Sequence, residues 1–334
     1  MVLSRNFIAA AALIFAWEGR ALPGVVDDIV NQVSQSSYSD YLNGDFYAYN
    51  GNNRLFSSQH DLAQQDIFDD FGAMGLTPTL EPFSRSGYSG VNVAAIWPGE
   101  TRPNDVYVIG AHYDSVAGPG ANDNASGVAG VLEAARVLTQ YRFEATFIFI
   151  AFDREEQGLI GSTAYVAAHP GLNVDGMISL DMIAHNTAPG SSGHDQATIY
   201  GASAPIRAAL ANAVANYSGG LTAVDGGTYL DCCSDQRSFE NAGFSGALLI
   251  ESNALSDPYY HTTSDSLDTA GYIDYRYATS MTRAAVGYLA ENADPVPEPG
   301  TVSSAALVLL IVFARLRRPR RCPSLTFSHR IGVH

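Results

Sequence analysis

Two histidines and three acidic residues in the middle of the chain carry the side chains that transition metals prefer. They are His112, Asp123, Glu156, Asp181 and His261. Two imidazoles and three carboxylates suit two zinc-like cations, which lie about 3.5–4 Å apart when they share a ligand. A single carboxylate can be that shared ligand. These residues therefore predict a binuclear metal centre that activates water for hydrolysis.

The glycine-rich segment around Asp123 is the part of the chain on which this site depends. Residues 109–127 read I-G-A-H-Y-D-S-V-A-G-P-G-A-N-D-N-A-S-G, starting at the end of an apolar run and entering a helix-like stretch. Asp123 lies between Gly120 and Gly127, in a tight turn where cations can approach the backbone closely. Asp123 is therefore the candidate bridging ligand.

Two further acidic residues are the candidate catalytic residues. Asp114, two residues after His112, is placed to accept the second imidazole N–H and so to fix its tautomer. Glu155 is adjacent to Glu156, and the two side chains point in different directions if this segment is not helical. One can then bind metal while the other faces the bound water as general base.

Alternating strands and helices predict the frame that brings these residues together. Apolar runs indicate strands, and apolar residues at helical spacing indicate helices. The predicted strands are 90–97, 106–109, 145–152, 174–183, 197–200 and 246–250, and the predicted helices are 57–74, 126–141, 162–168, 204–217 and 272–291. A polar turn is predicted at 98–104, and a short helix followed by a loop at 25–50. This order is typical of an α/β fold with a largely parallel sheet, in which ligands gather at the carboxyl ends of strands.

The motifs in their order resemble the M28 family of zinc peptidases. They are A-H-Y-D-S, G-A-N-D-N-A-S-G, E-E-Q-G-L-I-G-S, L-D-M and H-T-T-S-D, and the likeness runs from about residue 53 to residue 291. It is strongest to the secreted bacterial leucyl-type aminopeptidases of that family. Five motifs in one order make the resemblance specific, whereas each alone would be weak.

The resemblance implies a role for each candidate ligand. It implies that His112 and Asp181 bind one zinc ion, that Glu156 and His261 bind the other, and that Asp123 bridges the two.

The resemblance also implies the fold and the reaction. Residues 22–293 would form a single doubly wound, three-layer α/β/α domain with a mixed, mostly parallel sheet and a cis peptide bond after Asp123. Glu155 would be the general base and acid in the hydrolysis of peptides. A free substrate amino terminus would bind at one zinc ion, which makes the chain an aminopeptidase.

One motif departs from the family pattern. Cys233-Ser234-Asp235-Gln236 stands where members of the family have Ser-Asp-His, and Gln236 can donate a hydrogen bond but cannot carry charge. Three other functions stay open: a carboxypeptidase of the same family, a glutaminyl-cyclase-like aminoacyltransferase with one zinc ion, and a non-catalytic cell-surface module. The full set of ligand residues favours the two-metal peptidase over the last two.

Composition limits the class of protein. The chain has 334 residues, 46% hydrophobic and 16% charged, which supports a well-buried core. The net charge is −16 and the 18 basic residues are all arginine, so a polyanion such as nucleic acid would be repelled. Three cysteines are an odd number and give no disulfide framework.

Both ends are predicted to be processing segments. Residues 1–21 hold Arg5, an apolar run at 7–17 and small residues before residue 22, as a secretory signal peptide does. Residues 294–334 hold V-P-E-P-G, an apolar run at 305–314 and an arginine cluster, which resembles the PEP-CTERM sorting tail of exported bacterial proteins. The run is shorter than the roughly 20 residues of a full span. The resemblance implies export, a membrane-anchored stage and processing of the tail by sorting machinery.

Several residues near the motifs have less certain roles. Tyr259, Tyr260 and Phe244 are candidates for an apolar side-chain pocket, with packing at the surface as the equal alternative. Asp265 is expected either to support His261 or to cap the turn.

Overall fold

In the residues that the structure describes, 24–44, 53–55, 57–228 and 234–297, eight strands form one mixed sheet. The structure is a computed structural model. The strands are β1 (Thr79–Arg85), β2 (Tyr88–Trp97), β3 (Arg102–His112), β4 (Ala145–Phe152), β5 (Val174–Asp181), β6 (Gln196–Tyr200), β7 (Thr222–Gly227) and β8 (Gly246–Glu251). Their order is β1-β2-β4-β3-β5-β8-β6-β7. The pairs β4–β3, β3–β5, β5–β8 and β6–β7 are parallel, and the other three pairs are antiparallel.

Helices cover both faces of this sheet. They are α1 (Val25–Val30), α2 (Gln35–Gly44), α3 (Ser58–Ala73), α4 (Gly127–Leu138), α5 (Ile160–Ala168), α6 (Ala204–Tyr217), α7 (Gln236–Asn241) and α8 (Tyr275–Ala293). The apolar side chains of α4 and α8 join one core on one face, and those of α5 and α7 join a second core on the other. The three-layer α/β/α class with a mostly parallel mixed sheet is thus confirmed.

Strand β4 shows why the middle of the sheet forms. All eight of its residues are buried. Phe147 and Phe149 belong to the core on one face, and Ile148 and Ile150 to the core on the other. Each such side chain, fully buried, stabilises the fold by about 1.5–3 kcal/mol. A continuous apolar run is the pattern of a strand covered on both sides.

The strand order reverses at β3, and this reversal positions the site. From β3 the chain continues to β4 on one side, and from β4 it continues to β5 on the other side of β3. Loops that leave the carboxyl ends of these strands therefore diverge and open a crevice, the usual place for a ligand in such sheets.

The predicted signal peptide and cysteines lie outside the described residues, as does the predicted tail beyond residue 297. No described helix is both long enough and apolar enough to span a bilayer.

Several elements differ from the sequence-based prediction because distant contacts form them. Strand β1 is polar and mostly exposed, and it pairs with β2 through a two-residue turn, Ser86 and Gly87, with φ values of 52° and 84°. Helix α2 occupies part of the predicted loop, since Glu133 in α4 accepts hydrogen bonds from Ser34 N–H and the Ser37 hydroxyl at 2.7 Å each. The predicted turn at 98–104 lies partly inside β3, which starts at Arg102. Strand β7 and helix α7 were not predicted.

The ends of two predicted elements also moved. Strand β5 ends at Asp181, because Met182 has φ 48° and leaves the extended conformation. Helix α8 begins at Tyr275, where the carboxylate of Asp274 accepts the Tyr277 N–H at 3.0 Å and caps the helix.

His60 makes a buried ion pair between α3 and the loop after β4. Its Nε2 lies 2.9 Å from Asp153 Oδ1, and its Nδ1 lies 3.1 Å from Asp61 Oδ1. Burial opposes the imidazolium, but the hydrogen bonds and charge of these carboxylates outweigh it and raise the pKa of His60. The pair therefore stabilises the fold fully below the ordinary histidine pKa of about 6.5, and this contribution is lost as pH rises through the raised pKa.

We expect His60→Gln to lower the free energy of unfolding by about 1–3 kcal/mol near pH 6. The loss is smaller at a pH above the raised pKa of His60, where the wild-type imidazole is neutral too. Urea unfolding of both proteins at the two pH values measures the difference. An equal loss at both values would contradict the ion pair.

Candidate metal centre

Each candidate ligand lies at the end of a strand or in a loop beside one. His112 is the last residue of β3, and Asp181 is the last residue of β5. Glu156 lies in the loop between β4 and α5, Asp123 in the turn between β3 and α4, and His261 in the loop between β8 and α8. The fold brings all five predicted ligands to one place, although the first and last are far apart in sequence.

The two oxygens of Asp123 face two different groups. Asp123 Oδ1 lies 3.3 Å from His112 Nε2, which also lies 3.6 Å from Asp181 Oδ2. Asp123 Oδ2 lies 3.2 Å from His261 Nε2, which also lies 3.1 Å from Glu156 Oε2. We call His112 with Asp181 the first subsite and His261 with Glu156 the second subsite. Asp123 lies between them with one oxygen toward each.

The donor set fits metal ions. Asp181 Oδ1 and Glu156 Oε1 are buried and have no hydrogen-bond partner within the described chain. A buried carboxylate oxygen without a partner is costly, and a cation would satisfy it. Ligand atoms of His112, Asp181 and Glu155 lie within 4.8 Å of one another, and so do those of His112, Asp123 and Glu156. The residues present therefore suit hard-to-borderline cations such as zinc.

Protonation supports this interpretation. Although burial raises the pKa of Asp123, hydrogen bonds from His112 and His261 lower it below the ordinary range, so the Asp123 carboxylate stays charged. Hydrogen bonds to Asp123 and Glu156 raise the pKa of His261 to about 10. A metal ion in the second subsite would take the place of that imidazole proton, so metal binding there releases a proton.

Asp114 contacts both His112 and the paired glutamates. The His112 Nδ1 atom lies 3.1 Å from the Asp114 main-chain oxygen and 3.5 Å from its carboxylate. That carboxylate accepts the N–H groups of Glu155 at 3.1 Å and Glu156 at 3.2 Å. Asp114 is thus placed to fix the tautomer of His112, and its carboxylate also orients the E-E segment.

Glu155 lies beside the first subsite. Its Oε2 atom is 4.0 Å from His112 Nε2, and its side chain is 14% exposed. Burial, together with the charges of Asp235 and Asp181, raises the pKa of Glu155 well above its ordinary value, against the opposing effect of His112. A carboxylate with a raised pKa is suited to take a proton and later return it.

Arg54 and Gly120 fix the loop that leads to Asp123. Gly120 has φ 62°, and a Cβ atom there would lie 2.2 Å from the Asp123 carbonyl oxygen, so only glycine fits. Arg54 is fully buried and donates hydrogen bonds to the carbonyls of Tyr113, Pro119 and Gly120. No sequence pattern indicates this role of Arg54, because the acceptors are 59 to 66 residues away in the chain.

The turn after Asp123 has the backbone form that the resemblance implied. The peptide bond between Asp123 and Asn124 is cis. The Asn124 side chain donates to the Leu180 carbonyl at 2.8 Å and accepts the Gly127 N–H at 2.9 Å. The turn is therefore tied both to β5 and to the first residue of α4.

A cavity of about 340 Å³ adjoins the two subsites. Its apolar wall is formed by residues that share a small cluster at the end of β8, Met182, Leu248, Ile250, Ala254 and Tyr260. The Tyr260 ring stacks on the His261 ring, with centroids 3.8 Å apart.

Other candidates lie away from this cavity. Tyr259 packs edge-on against Tyr272, and Phe244 is half-buried and lines a separate cavity beside α5 and α7, so neither lines the cavity at the two subsites. Gln236 is buried at the start of α7 and is not a lining residue, whereas Ser234 is. The Gln236 departure therefore does not alter the cavity wall directly.

Comparison with known proteins gives one family. The model of Peptidase family M28 matches residues 92–288. Leupeptin-inactivating enzyme 1 of Streptomyces exfoliatus is 32% identical over 265 residues, which cover 75% of this chain and 57% of that protein. A probable zinc metalloprotease of Pyricularia oryzae is 29% identical over 266 residues, 65% of this chain and 53% of that protein. The chain thus spans little more than half the length of these two relatives.

Solved structures show the same fold at low identity. The LapA aminopeptidase of Legionella pneumophila has a TM-score of 0.70 at 21% identity, covering 81% of this chain and 75% of that one. A glutaminyl cyclase of Bacteroides thetaiotaomicron has a TM-score of 0.63 at 20% identity, covering 77% and 97%. The fold is shared by both activities and does not separate them. The family model spans more than half of the chain and includes all five candidate ligands, and the chain belongs to peptidase family M28.

Proposed function

We propose that this chain is an exported aminopeptidase that uses two zinc ions to remove amino-terminal residues from peptides. The observation that carries the proposal is the position of Asp123, whose two oxygens face two separate histidine–carboxylate pairs at 3.3 Å and 3.2 Å. A shared carboxylate of this kind is what a pair of cations requires. The zinc metalloprotease and aminopeptidase names of relatives agree with it.

The residues divide the work of hydrolysis. Zinc ions held by the two subsites would supply the polarisation of the scissile carbonyl and would lower the pKa of water. Glu155, beside the first subsite, takes a proton from the attacking water and passes it to the departing amine. The Asp114 carboxylate accepts the backbone N–H groups of Glu155 and Glu156. These hydrogen bonds orient the segment so that Glu155 acts on water while Glu156 binds metal. The adjoining cavity receives the side chain of the terminal residue.

The second subsite also favours an aminopeptidase over a transferase. A one-metal enzyme does not need both His112 with Asp181 and His261 with Glu156, yet this chain holds both pairs around Asp123. A zinc ion held by one pair would polarise the scissile carbonyl, and a zinc ion held by the other pair would anchor the free amino group of a peptide. The leupeptin-inactivating name of the Streptomyces relative agrees with a peptide substrate.

An assay on aminoacyl-p-nitroanilides tests the proposal. Purified mature protein should release p-nitroaniline, lose this activity with a chelator, and regain it when zinc is returned. The same compounds with an acetylated amino group should be resistant, because the free amine is needed for binding. No zinc-dependent release from any free aminoacyl compound would contradict the proposal. Cyclisation of amino-terminal glutamine alone would favour the transferase, and cleavage from the carboxyl end would favour the carboxypeptidase.

Export is proposed on the sequence of the two ends. Residues 1–21 are proposed as the signal peptide and residues 294–334 as a sorting tail that is processed at the membrane. The mature protein would then act on peptides outside the cell or at its surface. Mass spectrometry of the chain from the producing cells should find an amino terminus near residue 22, and an intact first residue would contradict export by this route.

A further inference from the structure

Asp265 receives three consecutive backbone N–H groups of the turn that carries Asp123. Its main-chain oxygen accepts the Ala121 N–H at 3.2 Å. Its side-chain oxygens accept the Asn122 N–H at 2.7 Å and the Asp123 N–H at 3.0 Å. Asp265 is only 2% exposed. The two roles considered for Asp265 from the sequence, supporting His261 or capping the turn, did not identify this distant segment as its partner.

We propose that Asp265 is a positioning residue that holds the Asp123 carboxylate in register with His261. The inference rests on the proposed function, since it concerns metal binding by these two residues. Asp265 follows His261 by four residues in the same loop and contacts the backbone of Asp123 directly. Asp265 therefore connects Asp123, the proposed bridging ligand, to the loop of His261, a ligand of the second subsite. The two segments are distant in sequence, since Asp123 and Asp265 are 142 positions apart.

Close contact between the same two segments supports this joint. A Cβ atom on Gly118 would lie 2.2 Å from the Thr262 carbonyl oxygen, so the loop before Asp123 and the loop after His261 touch backbone to backbone. A shift of either loop would move one ligand against the other. Metal sites with a bridging carboxylate tolerate little such movement, because both oxygens must meet their cations at once.

Asp257 provides a matched control in the same buried region. It is 7% exposed and accepts hydrogen bonds from the Tyr272 hydroxyl at 2.7 Å and, at 3.4 Å, from the Asn122 side chain. Its contacts with this turn are made to that side chain and not to the amide groups that Asp265 receives. Asp257→Asn and Asp265→Asn thus remove the same charge at similar depth, but only the second disturbs the backbone of Asp123.

The test is titration of the metal-free full chain with zinc by calorimetry, together with the Tm of each metal-free protein. We expect Asp265→Asn to weaken binding of at least one zinc ion by about 10–100-fold, the usual effect of losing a group that orients a ligand. We expect Asp257→Asn to bind two zinc ions with the same affinities as the wild-type protein. A lower Tm with unchanged zinc affinity in Asp265→Asn would show a merely structural role and overturn the inference.

Two further outcomes keep the claims separate. If wild type binds no zinc, the proposed function fails and this inference fails with it. If wild type binds two ions and Asp265→Asn binds them equally well, only the inference fails. Should Asp265→Asn not fold, Asp265→Glu is titrated instead. It keeps the charge but displaces the oxygens from the amides, and normal affinity in that variant would overturn the inference.

Discussion

Glu155→Gln should abolish peptide hydrolysis while both zinc ions stay bound. Glutamine keeps the size of the side chain but cannot take a proton from water. General-base residues contribute about 10²–10⁴-fold to the rate, so we expect a loss in kcat of that order with little change in KM. Kinetics on aminoacyl-p-nitroanilides give kcat and KM, and inductively coupled plasma mass spectrometry of the same preparation gives the zinc content.

Glu156→Gln is the matched control for this experiment. Glu156 lies 3.1 Å from His261 Nε2 in the second subsite, so its substitution should reduce zinc content as well as turnover. The two variants carry the same substitution, glutamate to glutamine, at neighbouring positions, and they should differ in zinc content. Normal zinc in Glu156→Gln with loss of zinc in Glu155→Gln would mean that the two roles are exchanged.

Asp181→Ala and His261→Ala should each leave a protein that holds one zinc ion firmly. Each removes a ligand from one subsite and leaves the other subsite, with Asp123, intact. We expect the affinity for one ion to fall by more than the roughly 10–100-fold caused by loss of an orienting partner, because a direct ligand is lost. Zinc titration of each metal-free variant measures the number of ions bound.

Asp123→Ala should behave differently from both single-subsite variants. Both subsites lose a ligand at once, so we expect binding of both ions to weaken together. Retention of one tightly bound ion in Asp123→Ala would contradict a bridging role. Loss of both ions in Asp181→Ala alone would show instead that the two subsites are not separable.

The middle of the sheet and the ligands at its edge could be predicted because their signals are local. The run at 145–152 is apolar except for Thr146 and is buried at every position, which is the pattern of a strand covered on both faces. His112 and Asp181 end such strands, so their placement follows from the strands themselves. The ordered motifs then relate His261 to the same centre, which spacing alone would not do.

The remaining features depend on partners that are distant in sequence. Strand β1 has no alternating apolar pattern and forms by pairing with β2. Helix α2 begins directly after Ser34, whose backbone N–H is accepted by the carboxylate of Glu133, 99 residues away. Arg54 and Asp265 contact backbone groups of a segment that is distant in sequence and is brought to them by the completed fold.

The most direct test of the account is anomalous diffraction at the zinc edge from crystals of the mature protein grown with zinc. We predict two peaks about 3.5–4 Å apart, one beside each oxygen of Asp123, with His112 and Asp181 at one and Glu156 and His261 at the other. One peak only, or peaks away from Asp123, would contradict the bridged two-metal centre.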